Sequence, residues 1–263
     1  MRRLLDACGA VLAYLWSGWG AIASLLLFCA LWELAAQHYG ALILPGPAET
    51  MMKLATMTAA GEAVPELAIS ARRGLAGLGG AVLAGSVLGM LAGRSLTAAM
   101  VSRPLATLLL GMPPIAWLVL AMLWFGVGDA TPVFTVFIAC LPIVFAGAMQ
   151  GARTLDNQLM DVARVYRLPW WAVLADVQLP HVASYLLPAW ITALGTSWKV
   201  VMMAELLAAA DGTGAALGAA RGQLDSTAAM AWVVAVLGLL LTTEYLLLEP
   251  FKRMAERWRS LDP

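Results

Sequence analysis

The sequence predicts an all-α integral membrane protein with six transmembrane helices. Three observations carry this. Of the 263 residues, 62% are hydrophobic and only 12% are charged, about half the charge of a soluble domain. The uncharged stretches 7–32, 74–93, 104–128, 130–152, 180–198 and 226–243 each approach or exceed the roughly 20 residues that cross a bilayer. None of them alternates as a barrel strand would, and only helices otherwise satisfy their own backbone in lipid.

Orientation follows from the basic residues. With the N-terminus inside, the inner segments hold Arg2, Arg3, Arg94, Arg103, Arg153, Arg164, Arg167, Lys252, Arg253, Arg257 and Arg259, eleven of the sixteen. Both termini are therefore expected in the cytoplasm. The first apolar run is longer than the core of a secretory signal and reads as an uncleaved span. Equal numbers of acidic and basic residues leave no excess to hold a nucleic acid. Cys8, Cys29 and Cys140 have no metal or disulfide spacing, and His38 and His181 are too few for a metal centre.

The first span lies within 14–38, with Trp16, Trp19 and Trp32 as interface anchors. Pro45-Gly46-Pro47 breaks the chain, and residues 48–60 read as a short amphipathic segment on the outer face. In span 2, Gly85, Gly89 and Gly93 put three bare positions on one helix face, which predicts close packing. Arg72 and Arg73, near its outer end, are expected to snorkel. Span 3 contains Met112-Pro113-Pro114, which must kink or unwind it. The break is either a wall of a solute pathway or a packed kink. Asp129, before span 4, is expected to cap that helix.

Residues 153–180 form the longest polar insertion and face inside. Pro169 and Pro180 punctuate it, predicting a helix, a turn, a short surface helix and a stop. Asp161 and Arg164 stand at i,i+3, close enough to pair. Span 5 is expected to start near Ser184. It carries Lys199 and Glu205, 240° apart around the helix, so they do not share a face. Glu205 lies toward the outer surface, where it is expected near water, bonding the polar 211–214 turn, and it is a further candidate to line a solute path. Lys199 either offers a counter-charge to an anionic solute, with Trp198, Met112, Trp117 and Met202 beside the path, or pairs internally, for instance with Glu244.

The inner loop carries a resemblance. Asp161-Val162-Ala163, Arg167, Val177, Leu179 and Pro180 stand at the spacing of the inner-loop signature of ABC importer permeases, Glu-Ala-Ala, three residues, Gly, nine residues, an aliphatic, one residue, Leu-Pro. Arg167 replaces the usual glycine. Pro113-Pro114-x-Ala116-Trp117, Leu123-Trp124-Phe125-Gly126-Val127-Gly128-Asp129, Trp198-Lys199 with Met203-Ala204-Glu205-Leu206, and Gly212-x-Gly214 resemble the nitrate, sulfonate and taurine branch. The likeness covers roughly 65–255. It leaves 1–64 as an N-terminal helix with its outer linker and 256–263 as a cytoplasmic tail.

The resemblance implies that two copies form a pore. It also implies two cytoplasmic ATPase subunits, which hold ATP and magnesium, and a periplasmic or surface-anchored binding protein. The chain itself has no phosphate-binding Gly-x4-Gly-Lys-Ser/Thr loop and is expected to bind no cofactor and to be no enzyme. The coupling loop would comprise Asp161, Ala163, Arg164, Arg167, Trp170, Trp171, Leu174, Leu179 and Pro180. Its two tryptophans either dock on the ATPase or sit among lipid headgroups. The competing readings are a secondary transporter or channel, for which inverted repeats are not evident, a membrane enzyme, for which no reactive cluster is evident, and a purely structural subunit.

Overall fold

The computed structural model describes residues 2–155 and 157–248, with side-chain surroundings for 19–20, 23–155 and 160–246. The surroundings of Arg2, Arg3, Cys8 and Trp16 and the tail with Lys252, Arg253, Arg257 and Arg259 lie outside the described residues. The described residues form helices α1 (Arg2–Tyr39), α2 (Pro47–Ala59), α3 (Ala63–Gly93), α4 (Leu96–Gly111), α5 (Pro114–Phe125), α6 (Ala130–Arg153) and α7 (Asn157–Val165). Then α8 (Trp170–Ala172) passes through a π-helical stretch, Val173–Gln178, into α9 (Leu179–Ala208). The chain continues with α10 (Thr213–Gly222), α11 (Ser226–Thr243) and a second π-helical stretch, Glu244–Leu248.

Four of these elements are long and apolar enough to cross a membrane: Ala63–Gly93, Ala130–Arg153, Trp170–Ala208 and Ser226–Leu246. Helices α4 and α5 make a fifth if counted together, but they are bent by 90°. The bend has a local cause. A residue before proline is pushed out of the helical region, and both Met112 (ψ 126°) and Pro113 (ψ 139°) are extended. The two prolines thus split the expected third span rather than merely kinking it.

The centre of the bundle is α3 against α6, and α9 packs on both. Small residues recur every fourth position along α3 as Gly77, Ala81, Gly85, Gly89 and Gly93. A Cβ at Gly85 would meet Cβ of Val144 at 2.9 Å, at Gly89 the carbonyl oxygen of Phe145 at 2.5 Å, and at Gly93 Cβ of Ala152 at 2.5 Å. The glycine stripe is therefore a packing seam, as its spacing predicts, and it runs two turns further than Gly85. Val136, Cys140, Val144, Ala193 and Leu194 close the core between the three helices.

Two sequence expectations fail here. Pro180 does not stop the inner helix: the chain runs unbroken from Trp170 to Ala208, so the helix of span 5 begins well before Ser184. Proline lacks an N–H and its ring collides with the carbonyl four residues back. The wider π turn, in which Leu179 N–H reaches Leu174 O, admits the proline without a break. Asp129 does not cap α6 with its side chain; its carboxylate is taken by arginine.

Candidate functional site

Around the helix, Trp198 and Glu205 of α9 stand two turns apart on one face, and both are buried, at 2% and 0% exposure. The Trp198 indole donates to Thr243 Oγ1 at 3.1 Å. Both were expected beside a solute path; each instead points into the packed interior, held by partners of its own chain.

Glu205 is the acceptor of a polar knot. Its Oε2 takes hydrogen bonds from Ser70 Oγ (2.6 Å), Gly214 N (3.1 Å) and Thr213 Oγ1 (3.4 Å). Its Oε1 accepts from Arg73 Nη1 at 3.2 Å. The Gly212-x-Gly214 motif is the room this needs. Gly212 has φ +95°, and a Cβ there would overlap the Glu205 carboxylate. A Cβ on Gly214 would stand 2.7 Å from Cβ of Glu205. Bonding to the 211–214 turn is as expected, whereas nearness to water is not: the carboxylate is sealed.

Arg73 holds the knot together and, at 2% exposure, does not snorkel. It donates to Asp129 Oδ1 from Nε (2.8 Å) and from Nη2, to Asp211 Oδ1 (2.6 Å) and to the Asp211 carbonyl (2.9 Å). Arg72 reaches the other Asp129 oxygen. The Arg73 hydrogen bonds hold the Asp129 carboxyl below its ordinary range. Glu66 accepts from Gly212 N. One guanidinium thus ties α3 to the start of α6, the end of α9 and the turn before α10. The readable signal was opposite charges placed toward one end of three separate apolar runs.

Lys199 lies elsewhere. It is exposed on α9, in line with Ser184, Pro188 and Thr192, which are also exposed. The spacing of four, four and seven keeps them on one helix face. Among the described residues no carboxylate lies within ion-pair distance of Lys199, so of the two alternatives the internal pairing, for instance with Glu244, is not formed. Met202 is half-buried one turn on. Met112 is exposed at the α4–α5 bend, and Trp117 buries an indole N–H that has no acceptor among the described residues. Helix α5 packs on α9 through Leu118 and Met122 against Ala204 and Ala208. Lys199 is five residues nearer the start of α9.

The inner loop presents an apolar surface. Val165, Tyr166, Trp170 and Trp171 are 79%, 75%, 78% and 61% exposed, while Ala163 and Ala172 are buried beneath them. Leu174 and Pro180 are half-buried, and Leu179 is exposed. Asp161 and Arg164 pair at 3.0 Å on the surface. Arg167 takes φ +53°, the left-handed value a glycine would favour. Its N–H bonds Arg164 O and the next, Leu168 N–H, bonds Ala163 O, both at 3.0 Å. This is the glycine-type helix end, built with arginine.

The spans and their charged ends define a multi-pass helical membrane protein. The chain belongs to the family described as binding-protein-dependent transport system inner membrane component, which matches residues 82–257. It is thus a permease component of an ABC transport system, located in the bacterial inner membrane. It is 30% identical over 236 residues to a protein named as an aliphatic sulfonates transport permease, SsuC, of Escherichia coli (strain K12), covering 87% of this chain and 88% of that one. It is 27% identical to the taurine transport system permease protein TauC of the same organism (87% and 85% covered). With the nitrate import permease protein NrtB of Leptolyngbya laminosa it shares 28% identity, covering 57% and 53%.

Proposed function

We propose that two copies of this chain form the pathway of an ATP-driven importer for a small oxyanion, in six spans per copy with both termini in the cytoplasm. The observation that carries the reading is the exposed Lys199 of α9. Ser184 and Thr192 on the same face satisfy their hydroxyls on the His181 and Pro188 carbonyls, but Lys199 cannot face lipid without cost, so this face borders a second copy or a water-filled path. An unpaired lysine there is a counter-charge for an anion. Nitrate and sulfonates, named for the similar permeases, are oxyanions, and on this reading Met112, Trp117 and Met202 would line the same path.

The exposed patch of Val165, Tyr166, Trp170 and Trp171 supports docking on an ATPase subunit. Patches of this kind mark interaction sites, and aromatic anchors dominate such contacts. Alternating access would be driven by ATP hydrolysis on those subunits, with solute delivered by a binding protein. The test is Trp170→Ala with Trp171→Ala in the reconstituted complex. Loss of solute-stimulated ATP hydrolysis and of ATPase co-purification is expected. Retention of both rejects the docking surface. A secondary transporter would accumulate solute without any ATPase subunit, which the same proteoliposomes reveal.

A further inference from the structure

We infer that the bundle end beside the inner loop holds a site for the phosphate group of an anionic phospholipid, between Arg94 and Arg153. The two arginines end α3 and α6, the central pair of helices, and line an open cavity of about 340 Å³. Leu96, Leu155, Met160 and Gln178 complete its wall, with no carboxylate among the described residues that line it. Arg94 Nη2 donates to Gln178 Oε1 at 2.8 Å, which joins the cavity to the π turn of the α8–α9 helix. Arg153 is different. Its Nη1 is buried and has no acceptor among the described residues. A guanidinium nitrogen out of water without a partner costs free energy, which a turn of the Arg153 side chain toward an acceptor in the adjoining cavity would relieve.

The chemistry selects the ligand. Two positive groups with no carboxylate paired to them among the described residues call for an anion, and the guanidinium fork matches phosphate oxygens. The cavity stands at the ends of membrane-spanning helices, where headgroups lie, and basic pockets between spans at that level take lipid headgroups. Its leucine and methionine walls suit the glycerol and first methylenes of a lipid. That the cavity meets the headgroup layer rests on the membrane assignment alone; transport and ATPase docking do not enter.

The test uses the purified full chain in detergent, without ATPase subunits, so its outcome is separate from that of the importer reading. Native mass spectrometry would follow retention of phosphatidylglycerol against phosphatidylcholine at equal mole fraction. Preferential retention of phosphatidylglycerol is expected. It should fall about fivefold in Arg153→Gln and about 25-fold when Arg94→Gln is added, each charge contributing roughly one lipid-surface increment. Arg153→Lys, which keeps the charge, should retain most of it and guards against misfolding. Competition by inorganic phosphate would show that free phosphate enters the same site; resistance to it would assign the site to lipid alone. Equal retention of the two lipids, or unchanged phosphatidylglycerol in the double variant, overturns the site.

Discussion

Arg73 and Glu205 meet at 3.2 Å with 2% and 0% of their side chains exposed, although 132 residues separate them. Buried pairs of this kind add little net stability when intact, because desolvation offsets the attraction. Breaking one is another matter, since the surviving charge is stranded. Arg73→Met is therefore expected to destabilise the chain by about 3–5 kcal/mol. Paired replacement, Arg73→Met with Glu205→Leu, should cost less than the sum of the two single changes, and thermal unfolding in detergent of all three variants measures this coupling.

Gly89 is the tightest point of the α3–α6 seam. A methyl there would stand 2.5 Å from a backbone oxygen and 2.6 Å from Cβ of Ala148, so the helices must part. Gly89→Val is expected to lose about 1–3 kcal/mol or more. Gly79, with nothing within 4 Å of an added Cβ, is the control. Gly79→Ala should be neutral or slightly stabilising, because alanine favours the helix. Relative thermal midpoints of the two variants decide the point.

The fold was legible where a local rule sufficed. Apolar runs located the helices, the Gly85–Gly89–Gly93 spacing located the seam, and adjacent prolines located the bend. The polar knot was not legible as a whole. Glu205 was seen to lean toward the 211–214 turn, but Arg73 reaches Asp129 and Asp211 across 56 and 138 residues. A sequence does not carry such distances, and snorkelling and capping are the local rules that long-range ion pairs overrode. Arg167 shows a converse limit. Propensity disfavours a left-handed arginine, yet the helix end imposes that conformation.

That imposition has a measurable cost. A non-glycine residue in the left-handed region is disfavoured by roughly 1–2 kcal/mol. Arg167→Gly removes the strain from an exposed position and restores the usual residue of the importer signature. Stabilisation of about 1 kcal/mol is expected, less whatever the more flexible unfolded chain regains. A thermal midpoint below that of the natural chain would show that the Arg167 side chain makes a contact worth more than its strain.

Acid should reach the protein through Asp225. Hydrogen bonding from Ala228 N–H, together with Lys53 at 3.1 Å, keeps its carboxyl below the ordinary range. A group whose folded value is depressed contributes stability above its unfolded value, near 4, and that contribution disappears as pH falls through the folded value. Asp225→Asn keeps the cap and loses the charge. The natural chain should thus be more stable than the variant at pH 6, with the difference shrinking below pH 4 and vanishing in stronger acid. A difference independent of pH would assign the effect to packing.

Lys199 gives the sharpest test of the pathway. Its side chain is exposed, lies outside the Arg73 knot and has no carboxylate partner among the described residues, so its removal should leave folding intact. Lys199→Ala is expected to lower oxyanion uptake by the reconstituted complex about tenfold or more, with ATPase activity and thermal midpoint little changed, since an exposed, unpaired surface group seldom contributes over about 0.5 kcal/mol to stability. Lys199→Arg keeps the charge and should restore part of the uptake. If instead uptake persists in Lys199→Ala while the midpoint drops, the lysine serves the contact between the two copies, and the counter-charge for the solute must be sought on another helix.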